Sequence, residues 1–259
     1  MIPRSLHNAS IVLGSHALLA ASLAAPPAAS IAAGGLWAAC QAAILGGLLR
    51  PRSRLFCANV WSGGSRKSRV ALTFDDGPHP EDTPAVLEIL EAARVRATFF
   101  LVGSKVRAHP ALARRLAERG HEIGVHSDTH PWWFSMAGPG RTRREVGDAV
   151  AAIEEHAGVR PRRFRPPMGH KNIFLCDALR ASGLDMVTWS VRPFDTVRRS
   201  PERIRDIVVA RSRPGSIILM HEGVRRQPGR PSPPVGALAG IIEGLRDRGL
   251  EPVSLEGLR

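Results

Sequence analysis

Residues 69–102 read RVALTFDDGPHPEDTPAVLEILEAARVRATFFLV, and their reading decides the fold class. Val70 to Phe74 is a short apolar strand ending in two carboxylates, Asp75 and Asp76, and a Gly77–Pro78 turn. Thr83 and Pro84 open a helix whose Val86, Leu87 and Leu90 share one face. Ala97 to Val102 is a second apolar strand. Strand, helix, strand is the repeating unit of an α/β sheet.

The same alternation continues toward the carboxyl terminus. A helix with Pro110 at its start and Gly120 after its end precedes a strand at Glu122 to Val125. A helix around Val146, Val150 and Ile153 stops near Gly158 and leads to a short strand at Phe164. Another helix ends near Gly183, and Asp185 to Val191 forms a strand. Ser200 and Pro201 open a helix to Arg211, Ser216 to Met220 is a strand, and a last helix runs to Arg248. Pro252 to Leu255 closes the series. A chain of 259 residues holds one large barrel or two small domains. Seven strands interleaved with helices predict the former: a single α/β domain over 69–259, a distorted seven-stranded β/α barrel.

Upstream, Ala9 to Leu49 carries no charged residue apart from His16, and Pro26 and Pro27 divide it. The second half is long enough to span a bilayer, which needs roughly 20 residues. The first half also resembles a signal peptide, with Arg4 ahead of it and small residues at Ala24 and Ala25. Residues 1–50 are therefore expected to be an apolar helical membrane segment, one span or a hairpin, at a bacterial inner membrane. Arg4 on one side and Arg50, Arg52 and Arg54 on the other favour a hairpin with both ends in the cytoplasm, whereas a cell-wall enzyme needs the opposite side; the sequence leaves the side open. Residues 51–68 read as a linker.

A formal charge of +13 invites nucleic acid, but the arginines are scattered and lack aromatic interleaving, so a membrane surface or a cell-wall polymer is the expected electrostatic partner. Cys40, Cys57 and Cys176 form no C-x-x-C pair and read as buried small hydrophobes. Nothing in the sequence sets the oligomeric state.

In β/α barrels chemistry collects at the carboxyl ends of the strands. T-F-D-D-G-P, residues 73–78, reads equally as turn chemistry or as two adjacent carboxylates of which one can bind a metal while the other takes a proton from water. H-S-D-T-H, residues 126–130, puts two histidines on one face if the segment turns helically. With one carboxylate they make a His2Asp set with a coordination position left open, the catalytic kind of zinc site. R-P-P-M-G, residues 165–169, is a stiff loop: a backbone N–H there can face an oxyanion while Arg165 reaches a carboxylate. His221 follows a buried apolar strand on the same rim, where a protonated imidazole suits an amine leaving group.

With W-S-V-R-P-F-D, residues 189–195, and I-L-M-H, residues 218–221, these segments resemble in order and spacing the five motifs of the polysaccharide deacetylases of carbohydrate esterase family four, which include the nodulation chitooligosaccharide deacetylases. The resemblance spans residues 69–255. It implies the distorted barrel and a divalent metal, usually zinc. It assigns Asp75 as general base, Asp76, His126 and His130 as metal ligands, and His221 as general acid. Arg165 would orient the base, and Asp195 would position or charge the acid. Departures lie at Met168, where an aromatic residue is usual, and at Arg192 and Thr196, where an aspartate and a tryptophan often stand. Trp132 and Trp133 are candidates for replacement stacking.

The function implied is metal-dependent removal of an N-acyl group, acetyl first, from an amino sugar in a glycan. The alternatives are a deformylase or deacetylase of a polyprenyl-linked sugar, and a glycan-binding membrane protein without catalysis.

Overall fold

The computed structural model describes residues 4–24, 26–64, 68–198, 200–225 and 231–258. Outside them lie Ala25 of the expected signal-like stretch, residues 65–67 of the expected linker and Arg259; the side chain of Arg4 is also not described. Two long helices, α1 (Arg4–Ala24) and α2 (Pro27–Leu49), precede the sheet.

The sheet is formed by β1 (Arg69–Gly77), β2 (Thr98–Leu101), β3 (Glu122–Val125), β4 (Arg163–Phe164), β5 (Asp185–Met186), β6 (Ile217–His221) and β7 (Glu251–Val253). All pairings are parallel, in the order β5-β4-β3-β2-β1-β6, with β7 on the first residues of β1. The helices are α3 (Asp82–Ala92), α4 (Gly103–Ala108), α5 (Pro110–Glu118), α6 (Pro139–Ala157), α7 (Leu175–Ala181), α8 (Pro201–Arg211) and α9 (Pro233–Asp247). The short α4 is absent from the sequence reading, since six residues carry too little periodicity to register.

Strand alternation sorts the core into two layers. On β1, Val70, Leu72 and Phe74 join the large cluster between strands and helices, with Phe99 and Leu101 of β2 and Ile218 and Met220 of β6. Ala71 points the other way, into an inner cluster with Phe100, Ile217, Leu219 and Trp189. Thr73 and Asp75 continue that inner row, because residues two apart share a face. The barrel interior is thus apolar at its amino-terminal end and polar toward the carboxyl end.

β5 is regular for only two residues, shorter than the strand expected over 185–191. Val60 takes its place as neighbour, donating to the Met186 carbonyl at 3.0 Å and accepting from the Thr188 N–H at 2.9 Å. Further along, Val191 bridges Ile218 in the first half of β6, so the two edges of the sheet meet and close a distorted barrel. Ser62 bridges Ser216 at the start of β6.

The apolar helices pack against each other, with Gln41 Nε2 donating to Ser15 Oγ at 2.9 Å. α2 is long and apolar enough to cross a membrane, with mean hydropathy 1.5, while the apolar part of α1 is the shorter Ser10–Leu23. Leu23, Ile31, Leu36 and Leu45 point outward and are exposed. Both helices meet the barrel at one end of the pair. Asn8 Nδ2 donates to the Ile173 carbonyl at 2.9 Å. Lys171 grips the end of α2: its N–H donates to the Leu48 carbonyl at 2.9 Å, and Nζ donates to the carbonyls of Arg50 at 2.7 Å and Pro51 at 3.0 Å. A buried cation here satisfies carbonyls that the helix terminus leaves open. The segment that follows is packed on the barrel, with Phe56, Cys57 and Asn59 buried.

Phe74 is buried and stacks on Phe99 at 5.0 Å. Phe74→Ala is expected to lower stability by about 3–5 kcal/mol, read by denaturant unfolding.

Candidate metal centre and active site

Asp75 and Asp76 reach one site because β1 breaks its own alternation. In a regular strand they would point to opposite faces. The register of β1 against β2 shifts between Asp75 and Gly77, the mark of a bulge, which re-aims a side chain at the cost of a ladder hydrogen bond. Asp76 lies in that bulge with φ of 69°, a left-handed conformation that aspartate tolerates better than most residues. Lys105 Nζ donates to the Asp76 carbonyl at 2.6 Å and holds the turned peptide.

The histidine pair comes together by a route different from the helical turn expected. Residues 126–130 are a loop in which Ser127 and His130 have φ of 63° and 51°. Ser127 Oγ accepts from the His130 N–H at 3.0 Å. The Glu145 carboxylate accepts from the N–H groups of Asp128 at 3.1 Å and Thr129 at 2.9 Å, and from Thr129 Oγ1 at 2.8 Å. A buried carboxylate from α6 thus does what helical hydrogen bonds would have done, and the imidazole centroids end 4.9 Å apart.

Asp76 Oδ1 stands 3.5 Å from His126 Nε2 and 3.3 Å from His130 Nε2, and one ligand atom from each residue lies within 4.8 Å of the others. Ligands about 2.1 Å from a tetrahedral ion sit about 3.4 Å apart, so this is the spacing of donors around one cation. Asp76 Oδ1 is buried without a hydrogen-bond partner among the described residues. His126 Nδ1–H donates to the Arg165 carbonyl at 2.7 Å, which turns the Nε2 lone pair toward the cluster. Burial, helped by His130, lowers the His126 pKa to about 3, so the imidazole is neutral as a ligand must be. Two imidazoles and a carboxylate fit a divalent cation.

Asp75 is differently engaged. Arg165 Nη1 donates to its Oδ1 at 2.6 Å and to Thr73 Oγ1 at 2.8 Å, while Nη2 donates to the Thr188 carbonyl at 3.1 Å. The guanidinium is wholly buried, 4.1 Å over the Phe100 ring. Asp75 Oδ2 is 3.8 Å from His126 Nε2, beside the cluster. Burial raises the Asp75 pKa above the ordinary carboxylate value, against the opposing charge of Arg165.

His221 is the register partner of Asp75 across β1 and β6. Its Nδ1–H donates to Asp195 Oδ1 at 2.9 Å, and its backbone N–H to Oδ2 at 2.8 Å. Burial alone would lower the imidazole pKa, but the Asp195 hydrogen bond and the charges of Asp195 and Asp75 outweigh it and raise the value to about 9.

Several contributors escaped the sequence reading. Thr73 was findable, two residues before Asp75 and so on the same face. Lys105, Thr188 and Glu145 come from elements whose spacing carries no signal. Glu222, after His221, is buried with its pKa raised to about 8 by burial, and its carboxylate fills the space a Cβ on Gly77 would need. Among the other residues singled out, Trp133 lies under Arg141 at 5.2 Å and Trp132 is exposed. Arg192 stacks over Phe194 at 4.9 Å, and Met168 sits at the rim with φ of 55°.

Fold and site together define a class: parallel-sheet α/β enzymes in which a candidate divalent-metal centre stands beside a buried carboxylate and a charged imidazole. A family description, polysaccharide deacetylase, matches residues 62–187. A chitooligosaccharide deacetylase of Sinorhizobium fredii is 40% identical over 206 residues, 75% of this chain and 93% of that protein. The structure of the Bc1960 peptidoglycan N-acetylglucosamine deacetylase superposes with a TM-score of 0.72 at 33% identity, covering 77% of this chain and 92% of the other. BA3943 from Bacillus anthracis, a pseudoenzyme of carbohydrate esterase family four, superposes with a TM-score of 0.71 at 27% identity, over 78% of this chain and 68% of that one. The chain belongs to the polysaccharide deacetylase family, hydrolases of carbon–nitrogen bonds other than peptide bonds. Because the fold also serves a pseudoenzyme, activity depends on the side chains at the rim and not on the fold alone.

In the metal-free protein, NMR titration of His221 is expected to give a pKa near 9, falling toward 6.5 in Asp195→Asn. The ion pair stabilises the fold fully below the unfolded histidine value, and that contribution fades as pH rises through about 9.

Proposed function

We propose that this protein removes the acetyl group from an N-acetylated amino sugar within a glycan, as an enzyme held at a bacterial inner membrane. The observation that carries this reading is the convergence of Asp76, His126 and His130, flanked by Asp75 and by His221 on the neighbouring strand. The named substrates of its relatives, chitooligosaccharide and the N-acetylglucosamine of peptidoglycan, support the sugar class.

Asp76, His126 and His130 would hold the cation, which we assign as zinc and which when bound polarises the acyl carbonyl and acidifies the attacking water. Asp75 accepts the proton of that water. Its raised pKa brings it nearer to working pH, and Arg165 fixes the orientation of its carboxylate. The backbone N–H of Met168, on the stiff proline turn, is the donor we assign to the developing oxyanion. His221 then gives its proton to the departing nitrogen, which leaves as an amine rather than an unstable anion. Asp195 keeps that imidazole charged and aimed. The products are a free amino sugar and acetate. A glycan-binding role without catalysis is the weaker reading, because binding needs neither a buried base nor a charged imidazole beside a metal set.

We assign residues 1–50 to a membrane anchor, 51–68 to a connector and 69–259 to the catalytic domain. The length and hydropathy of α2 and the outward apolar side chains of the helix pair support the anchor.

Two measurements test the proposal. Asp76→Ala should lose both bound zinc and turnover, whereas Asp75→Asn should keep zinc and lose about 10²–10⁴ in kcat; undiminished acetate release by protein stripped of metal would overturn the mechanism. The full chain should also stay with membranes after alkaline carbonate washing, and release into the supernatant would remove the anchor.

A further inference from the structure

The apolar helix pair and the catalytic mouth share one end of the barrel. Hydrogen bonds that fix the base of the pair reach loops at the carboxyl ends of the strands. Lys171, which grips α2, and Ile173, which accepts from Asn8, lie in the loop between β4 and α7 that also carries Met168. The neighbouring Asn172 donates through Nδ2 to the Phe134 carbonyl at 3.0 Å, joining the loop that follows His130. Arg52, just past α2, donates to the carbonyls of Trp189 and Ser190, at the start of the loop that carries Asp195. Gly169 is so close to Pro51 that a Cβ there would meet the proline ring at 2.9 Å.

These three loops expose large apolar side chains: Trp132 at 72%, Met136 and Met168 from the first two, Phe194 and Val197 from the third. Trp132 and Phe194 could stack on sugar rings, but Met136, Met168 and Val197 offer a polysaccharide no such face, and scattered single residues would not gather on the loops that hold the helix pair. The pair turns at Pro26, so both of its ends emerge where the barrel is docked. Arg50, Arg52 and Arg54 stand at that emergence, the charge expected beside anionic headgroups. Whether the pair spans the bilayer or only dips into it, the catalytic rim lies at the surface the pair entered.

We infer that the rim rests on the bilayer and that the enzyme acts on an N-acetylated glycan whose own lipid anchor sits in the same leaflet. This inference rests on the deacetylase reading and narrows its substrate to an amphiphile. The exposed rim side chains contact acyl chains or headgroups, and the sugar enters laterally toward His130 and His221. A shared surface converts encounter into a two-dimensional search with a high effective concentration.

The test uses the full chain reconstituted in vesicles of phosphatidylethanolamine and phosphatidylglycerol. Two probes are compared at equal bulk concentration: chitotetraose in solution, and chitotetraose coupled to a dialkyl lipid in the same vesicles. Acetate release from the anchored probe is expected to be at least about tenfold faster, an advantage absent when that probe is in separate vesicles. Lys171→Gln, with Asn8→Ala as a second variant should the first fail to fold, should shrink the advantage while turnover of the soluble probe persists. Val197→Ser and Met136→Ser should reduce it in part. Equal rates on the two probes would overturn the inference and leave the deacetylase reading standing. No acetate from either probe would overturn that reading, and this inference with it.

Discussion

A β-strand sends successive side chains to opposite faces, and this site exists because β1 disobeys at one residue. Asp75 belongs to the inward row with Ala71 and Thr73; Asp76 would leave the barrel if the pleat continued. The bulge between Asp75 and Gly77 turns Asp76 back, at the cost of a left-handed backbone, so that one carboxylate meets Arg165 and its neighbour meets two imidazoles. Lys105 holds the turned peptide by donating to the Asp76 carbonyl, and the Glu222 carboxylate fills the space that a side chain at Gly77 would need. Strain of this kind persists where surrounding structure over-determines it.

The electrostatics follow from burying these charges together. Arg165 is fully buried, which is tolerable only because Asp75, Thr73 and Thr188 take its hydrogen bonds and Phe100 offers a ring face. Burial pulls both imidazoles down, and their partners separate the titrations: the His126 pKa falls to about 3, while Asp195 lifts the His221 pKa to about 9. Two imidazoles on one rim are thereby given opposite characters, one a lone-pair donor and the other a proton carrier. What separates them is that His126 gives its Nδ1–H to a neutral carbonyl and His221 gives its own to a carboxylate.

Much of this was legible in the chain. The apolar runs at Val70 to Phe74 and Ala97 to Val102, and the helix signals at Pro110, Gly120 and Pro201, fall where the elements are, because burial and capping are local in sequence. Asp75, Asp76, His126, His130, Arg165, Asp195 and His221 were all singled out, and the fold brings them to one rim. The manner of their convergence was not legible. H-S-D-T-H reads as a helical turn by spacing, yet it is a loop pinned by Glu145, fifteen residues beyond His130. The strand over Asp185 to Val191 reads as continuous, yet its middle pairs with Val60, from a stretch whose composition reads as linker. Both depend on partners distant in sequence, which periodicity cannot register.

Val60 and Ser62 also impose an order on assembly. They pair with Val187 and Ser216, so residues encoded ahead of the first barrel strand form part of its final seam. This flank is made before the strands it pairs with and can find its place only after them. During synthesis it must wait until β5 and β6 exist to receive it. Completion of the barrel is in this sense a zipper pulled shut from its amino-terminal flank.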